Sequence, residues 1–270
     1  MPANVLPVIG LLPAGGQARR IAPLPLSKEL YPIGFHAIDT EGSLRPKVVS
    51  HYLLETMQQA GITRASFILR TGTWDIPAYF GDGSMLAMHL GYLLMNLPYG
   101  VAYTLNQAYP FVQDSLVALG FPDILFQPKD AYARLLARQA ATGADVVLGL
   151  FPSTQPEKVG MVAFDDTGRV HHIVEKLKTS PLCYMWAIAV WTPTFTQFMH
   201  DYLAAIEQHR AAGDSNVPSV TKELPIGDVI QAAIEQGLTV QSEVFPNGRY
   251  LDIGTPDDLL AATREPSHWQ

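Results

Sequence analysis

The sequence predicts an α/β fold, a mostly parallel sheet covered by helices on both faces, and three observations carry that expectation. Short apolar runs at residues 8–12, 67–69, 116–119 and 146–151 have the length and character of strands buried on both sides. Between them lie stretches with apolar residues at helical spacing, at 48–60, 129–142 and 194–210, the first two closed by Gly61 and Gly143. Strand and helix signals alternate for most of the chain, the pattern of right-handed βαβ units. With 270 residues, 48% hydrophobic and 16% charged, the chain can bury a large core as a single domain over 1–270.

The first apolar run stops at Pro13-Ala14-Gly15-Gly16, as a buried strand stops at a glycine loop on the carboxyl edge of a sheet. Two adjacent glycines let backbone N–H groups approach a ligand, and Arg19, Arg20 and Lys28 follow closely, a combination suited to a polyphosphate. No Gly-Lys-Ser/Thr closes the loop and no third glycine follows, so it is neither a P-loop nor a dinucleotide fingerprint. The run Ala14-Gly15-Gly16-Gln17-Ala18-Arg19-Arg20-Ile21-Ala22-Pro23, then Ser27-Lys28-Glu29-Leu30-Tyr31-Pro32, resembles the signature loop of the sugar-1-phosphate nucleotidyltransferases. Its Ser-Lys form is closest to the glucose-1-phosphate thymidylyltransferases. The resemblance implies a Rossmann-like three-layer α/β/α architecture with a mixed, mostly parallel central sheet, of the nucleotide-diphospho-sugar transferase type. Ala18-Arg19 stands where the family has Gly-Thr: alanine gives up glycine's freedom at positive φ, and arginine adds a cation.

Further along, Pro46 and Lys47 precede the helix at 48–60, Phe67 to Leu69 forms a strand, and Asp75 to Phe80 reads as a short helix. Gly81-Asp82-Gly83-Ser84 reads as a turn, Met85 to Leu90 as a helix and Tyr92 to Met95 as a strand. Pro98-Tyr99-Gly100-Val101-Ala102 resembles the family's Pro-x-Gly segment, which implies that Pro98, Gly100 and Met95 lie at the nucleotide. The family's base-reading glutamine falls on Met95, which offers only a weak thioether acceptor.

The strand at 116–119 runs into Gly120-Phe121-Pro122-Asp123, and an acidic residue just past a parallel strand is well placed for a metal. The family has Leu-Gly-Asp-Asn here, which implies that Asp123 is a metal ligand. Val159 to Phe164 and Val170 to Glu175 flank Asp165-Asp166-Thr167-Gly168, a hairpin in an antiparallel part of the sheet. Val159-Gly160-Met161-Val162 and Glu175-Lys176 resemble the family's sugar-binding segments. A carboxylate can accept from two sugar hydroxyls, and a lysine beside it can hold a phosphate. Tyr184 opens the strand 184–191 and matches a sugar-pocket position of the family. A long helix at 194–210, a mobile loop at 213–219 and a helix begun by Glu223 and Asp228 and ending before Gly237 come next. Leu251-Asp252-Ile253-Gly254-Thr255 resembles the family's Asp-x-Gly-Thr and implies that Asp252 is a second metal aspartate.

The function this implies is nucleotidyl transfer. A nucleoside triphosphate, with dTTP or UTP favoured, and a sugar 1-phosphate, glucose 1-phosphate favoured, would give a nucleotide sugar and pyrophosphate with Mg²⁺ as cofactor. The catalytic residues would be Arg20, Lys28, Asp123 and Lys176, with Mg²⁺ on Asp123 and Asp252. The nucleotide would meet Ala14, Gly15, Gly16, Gln17, Arg19, Met95, Pro98 and Gly100, and the sugar would meet Gly160, Glu175 and Tyr184. Two alternatives stay open, a non-catalytic nucleotide- or sugar-nucleotide-binding homologue and transfer onto a non-sugar phosphate such as phosphocholine.

A formal charge of −7 with scattered cations argues against a nucleic-acid polymer as partner. The apolar stretch at 85–95 is too short to span a bilayer, and the apolar N-terminus lacks the basic segment of a signal peptide. The single Cys183, flanked by Leu182, Tyr184 and Met185, reads as a free thiol in a buried strand, consistent with the cytoplasm. Relatives of this size are commonly homo-oligomers, so the resemblance extends to self-association.

Overall fold

The buried apolar runs of the sequence become strands of one nine-stranded sheet. The computed structural model describes residues 6–38, 40–95, 100–212 and 223–269. Strand β1 (Val8–Ala14) leads through the glycine loop and a 3-10 turn at Lys28–Leu30 to β2 (Pro32–Ala37), β3 (Leu44–Val48) and α1 (Val49–Gln59). Next come β4 (Arg64–Arg70), α2 (Asp75–Phe80), β5 (His89–Met95), α3 (Val101–Asn106), α4 (Tyr109–Val112) and β6 (Leu116–Gly120). They are followed by β7 (Ile124–Gln127), α5 (Ala131–Thr142), β8 (Val146–Pro152), β9 (Gly160–Phe164), β10 (Val170–Glu175) and β11 (Tyr184–Trp191). The chain closes with α6 (Pro193–Ala211), α7 (Ile226–Glu235), β12 (Val240–Val244), β13 (Arg249–Asp252) and α8 (Pro256–Arg264).

The sheet is mixed and mostly parallel. Its order is β10-β9-β11-β6-β1-β4-β5, with β8 joined to β11 and β12 to β8. Strands β4, β6 and β5 run parallel to β1, while β11 is antiparallel to β6 and β8 and so reverses the direction at the middle of the sheet. Side chains alternate across the pleat. Leu12 and Ala14 of β1 and Phe67 and Leu69 of β4 enter one core with Leu54 and Met57 of α1 and Tyr132 and Leu135 of α5. Leu11, Ile68, Val117 and Leu119 enter the other with Leu105 of α3, Phe195 and Met199 of α6 and Val229 and Ile230 of α7. Each Leu, Ile, Val, Phe or Met side chain among these, fully buried, contributes about 1.5–3 kcal/mol. This is the helix-covered, three-layer arrangement that the sequence predicts.

A third, smaller cluster lies beneath the candidate residues Asp123 and Asp252. Ile33 of β2, Val49 and Tyr52 of α1, Leu125 of β7, Ile253 and Ala262 of α8 pack with Trp269. They hold the two-stranded ribbon of β7 and β13, in which Asp252 lies opposite Ile124. Helix α8 starts cleanly behind the ribbon: Thr255 caps it by accepting from the Asp258 N–H, with Pro256 in the first turn.

Two expectations are corrected. The helix expected at Met85 to Leu90 is a 3-10 turn at Ser84–Leu86 that ends at Ala87 in the left-handed region, φ 51°, and the chain is already extended at His89. The seven ladder partners offered by β4, from Arg64–His89 to Arg70–Met95, outweigh the helical spacing of Met85, Leu86 and Met88. Cys183 is exposed in the segment before β11, because the strand starts one residue later at Tyr184. The loop at 213–219 lies outside the described residues. Among those described, no helix is long and apolar enough to cross a membrane.

Candidate active site

Strands β1, β4, β5 and β6 end at one edge of the sheet, where ligands of open α/β folds gather, and most of the residues singled out by the sequence converge there. Ala14, buried, is the last residue of β1, and Gly15 and Gly16 follow. A side chain on Gly15 would lie 3.0 Å from Met95 Sδ, and one on Gly16 would lie 3.6 Å from Lys28 Nζ. The missing Cβ atoms therefore keep the loop close to Met95 on one side and Lys28 on the other. Ala18 adopts φ 49° although it is not glycine, and the Ile21 N–H donates to its carbonyl at 3.0 Å, so the turn that alanine was expected to oppose is formed. Arg19 Nε donates to Gln17 Oε1 at 2.7 Å on the exposed face of the loop.

Lys28 is carried by the 3-10 turn, which is held from two sides. The Ser27 N–H and hydroxyl both donate to the Asp75 carboxylate, at 2.6 and 2.7 Å, and Ser50 Oγ donates to the Glu29 carbonyl at 2.7 Å. The ammonium of Lys28 reaches Asp123 Oδ2 in a direct ion pair. Asp123 sits in the turn between β6 and β7, where the Ile124 N–H donates to the Phe121 carbonyl at 3.1 Å. Phe121, two residues before Asp123, packs its ring 6.1 Å from that of Trp186. Asp123 and Asp252 meet because their ribbon is in register: the Ile253 N–H donates to the Asp123 carbonyl at 3.1 Å, and Asp252 Oδ1 accepts from the Gly254 N–H at 2.7 Å. Arg20 closes the group, its Nη2 lying 2.7 Å from where a side chain on Gly254 would begin.

The electrostatics of this group are lopsided. Burial by itself would lower the Lys28 pKa, but the carboxylates of Asp123 and Glu29, with Asp252 beyond them, hold the ammonium above its ordinary value. Glu29, 3% exposed, is pushed up to about 7 by burial, with Asp123 and Asp75 adding to the shift and Lys28 opposing it. Asp252 is raised by burial and then by the charge of Asp123, against the pull of Lys28, the Gly254 N–H and Arg20. Asp123 and Asp252 lie near enough for the charge of one to raise the other, and hard carboxylate oxygens so placed fit a divalent cation. Among the described residues no group of three or more His, Cys, Asp or Glu side chains is placed to hold a metal.

The residues expected at the sugar form a second group on the β9–β10 hairpin. Gly160 pairs with Glu175, and a side chain on Gly160 would lie 2.5 Å from Glu175 Oε1 and 2.7 Å from Trp186 Nε1. Gly227, in the first turn of α7, leaves room for the same carboxylate, since a Cβ there would come within 1.8 Å of it. Trp186 Nε1 donates to Glu175 Oε1 at 3.4 Å. Burial and the nearby charge of Asp228 raise the Glu175 pKa, while Trp186 and Lys176 oppose the rise. Lys176, exposed and at φ 53°, is fixed by its N–H donating to the Val159 carbonyl at 3.0 Å. Tyr184, half-buried, sets its ring edge-on to Phe164 at 5.8 Å.

Of the residues expected at the nucleotide, Met95 is 8% exposed, and the Thr104 hydroxyl lies 3.1 Å from both its thioether and the Gly100 carbonyl. Gly100 has φ 104°, and a Cβ there would lie 2.6 Å from the Leu224 backbone nitrogen, so both conformation and space demand glycine. Pro98 lies outside the described residues. Sequence reasoning missed Asp75 and Arg70. Asp75 reads as an ordinary helix-start aspartate, and its bond to Ser27 crosses 48 positions; Arg70 Nε donates to the Gly16 carbonyl at 3.3 Å from the end of β4.

The model of the family described as Nucleotidyl transferase matches residues 9–267. Over 258 residues the chain is 27% identical to the low-salt glycan biosynthesis nucleotidyltransferase Agl11 of Haloferax volcanii, covering 94% of this chain and 65% of that protein. It is also 27% identical over 258 residues to a glucose-1-phosphate thymidylyltransferase of Streptomyces griseus, covering 94% of this chain and 64% of the relative. The chain thus spans just under two thirds of the length of these two relatives. A solved UDP-glucose pyrophosphorylase in complex with UDP-glucose superposes with a TM-score of 0.76 at 14% identity, over 98% of this chain and 100% of that one.

Proposed function

The chain belongs to the Nucleotidyl transferase family, and from that premise we propose that it transfers a nucleotidyl group from a nucleoside triphosphate to a sugar 1-phosphate. A phosphate oxygen of the sugar 1-phosphate attacks the α-phosphorus, the bond to the β-phosphate oxygen breaks, and pyrophosphate leaves with the bonding electron pair. The attacking oxygen is already anionic, so proton transfer contributes little, and the protein's task is to align two polyanions that repel each other. The observation that carries this reading is the convergence of the glycine loop, Lys28, Asp123 and Asp252 at the carboxyl edge of the parallel strands.

In this reading Lys28 and Arg20 lie along the triphosphate and counter the charge that builds on the leaving pyrophosphate. Gly15 and Gly16, between Ala14 and Gln17, bring backbone N–H groups to the phosphates. Asp123 and Asp252 would hold Mg²⁺, which when bound supplies Lewis-acid neutralisation of phosphate oxygens. On the hairpin, Glu175 accepts from sugar hydroxyls, Gly160 leaves room for that carboxylate, and Lys176 meets the sugar's phosphate. Tyr184 borders the same pocket. The curated relative named for glucose 1-phosphate and thymidylyl transfer supports these substrates as the first choice, with dTTP or UTP as donor.

The base is the sharpest point of this proposal. Met95 stands where paired hydrogen bonds would read a pyrimidine edge, and its thioether is a single weak acceptor with no donor to offer. An apolar wall separates candidate bases by only about 1–3 kcal/mol. Comparable kcat/KM for dTTP and UTP is therefore expected, measured as pyrophosphate release with glucose 1-phosphate and Mg²⁺ alongside CTP, GTP and ATP. A preference above roughly a thousandfold for one pyrimidine would overturn the placement of Met95 at the base, and no release from any pair would overturn the reaction.

A further inference from the structure

We infer that Arg70 binds the triphosphate of the nucleotide beside the glycine loop, an inference that rests on the nucleotidyl-transfer reading above. Arg70 ends β4, next to the last residues of β1 and opposite Met95 in the parallel ladder, so its backbone stands at the same sheet edge as the loop. Its backbone is pinned by Thr73, whose N–H and hydroxyl both donate to the Arg70 carbonyl, at 3.3 and 2.9 Å.

The guanidinium spends little of its capacity on the protein. Nε donates to the Gly16 carbonyl and Nη1 to the Thr71 carbonyl, each at a long 3.3 Å, and no carboxylate pairs with it among the described residues. A guanidinium has five N–H donors in a fixed fork, so three remain, together with an uncompensated positive charge. Carbonyl acceptors orient a guanidinium without neutralising it. Lys28 Nζ lies close to the Cα side of the same Gly16 whose carbonyl Arg70 touches, so the two cations flank one residue of the loop. Arg19, which the sequence reading also puts at the nucleotide, donates its Nε to Gln17 on the exposed face of the loop. Between Lys28 and Arg70 the complementary ligand is a polyphosphate, which offers oxygens to a planar fork and a point charge at once.

The test is calorimetric titration in Mg²⁺ buffer of wild type, Arg70→Ala and Arg70→Lys with three probes: inorganic pyrophosphate, the triphosphate that wild type binds best, and the matching nucleoside. Arg70→Ala should weaken both phosphate probes by roughly ten- to a hundredfold, the range for a hydrogen bond to a charged group, with nucleoside binding and melting temperature unchanged. Arg70→Lys should restore part of the loss, because it returns the charge without the fork. In turnover assays the loss should appear in KM for the triphosphate more than in kcat. Unchanged phosphate binding in Arg70→Ala, or an equal loss for the nucleoside, overturns the inference while leaving the functional reading intact. Wild-type protein that binds neither pyrophosphate nor any triphosphate overturns both.

Discussion

Two lysine–carboxylate pairs in this molecule have the same chemistry and opposite electrostatics. Lys28 pairs with Asp123 at the edge of the sheet, and Lys47 pairs with Glu55 between β3 and α1. Around Glu55 the donors dominate. His51 Nε2 lies 3.3 Å from Glu55 Oε1, the His36 ring packs 4.7 Å from that of His51, and Lys47 stands 4.0 Å from the centroid of the Tyr52 ring. Burial alone would raise the Glu55 pKa, yet bonds from His51 and Lys47 bring it down to about 2. Around Lys28 the acids dominate, and the shifts run the other way: Glu29 and Asp252 are both raised. A pair whose carboxylate is satisfied by its own neighbours holds structure together. A pair crowded by further carboxylates keeps like charges close together, a repulsion that a bound cation would relieve.

The largest break in that comparison should come from neutralising each acid and measuring turnover. With Mg²⁺ and the preferred substrates, Asp123→Asn or Asp252→Asn should lower kcat by roughly a hundredfold or more, because a metal site supplies several kcal/mol of charge stabilisation. Glu55→Gln should leave kcat near wild type. Steady-state pyrophosphate release decides between them, and similar losses in all three variants would erase the distinction drawn here.

A second, smaller effect is written into stability against pH. The Glu29 carboxyl has a folded pKa of about 7 against an ordinary 4.5, so as pH rises the unfolded chain gives up its proton first. Between those values the folded state holds more protons, and stability must fall as pH climbs from 4.5 towards 7. The shift corresponds to about 3 kcal/mol at full development. Glu29→Gln should remove that slope, so the variant gains on wild type across this window in urea unfolding. A difference that does not change with pH would mean that Glu29 is not the group responsible.

Much of the candidate site was legible because its residues lie in contiguous motifs at strand ends. The glycine loop with Lys28, Asp123 after β6, the Gly160–Glu175 hairpin and Asp252 before a capped helix are each short patterns with a local physical reason. What joins them is not local. The β7–β13 ribbon that brings Asp123 to Asp252 pairs segments more than a hundred residues apart, and nothing within either segment names the other. The β2–β3 hairpin was unreadable for a different reason: Pro46 interrupts β3, and three of its five residues are exposed, so no alternation of polar and apolar residues marks it. Asp75 and Arg70 escaped because their partners are a backbone N–H, a hydroxyl and carbonyls, which leave no trace in residue type.

The smallest effect separates the two pairs most cleanly. Glu55 has a folded pKa of about 2 against an ordinary 4.5, so its bonds to His51 and Lys47 stabilise the fold above pH 4.5 and are lost as pH falls towards 2. Removing one partner of a fully buried pair costs about 3–5 kcal/mol. The Glu55 side chain keeps 29% of its surface exposed, so water can recover part of that, and about 2 kcal/mol is expected for Glu55→Gln at neutral pH. The penalty should shrink below pH 4.5, where wild type also loses the carboxylate. Glu29 and Glu55 thus tilt stability in opposite directions on either side of the ordinary glutamate pKa: one weakens the fold as pH rises, the other as it falls. Urea unfolding of wild type, Glu29→Gln and Glu55→Gln across that range should show the first variant flattening the alkaline limb and the second the acid limb. If Glu55→Gln carries the same penalty at every pH, its carboxylate charge is not what binds β3 to α1, and the contrast with Lys28 rests on packing instead.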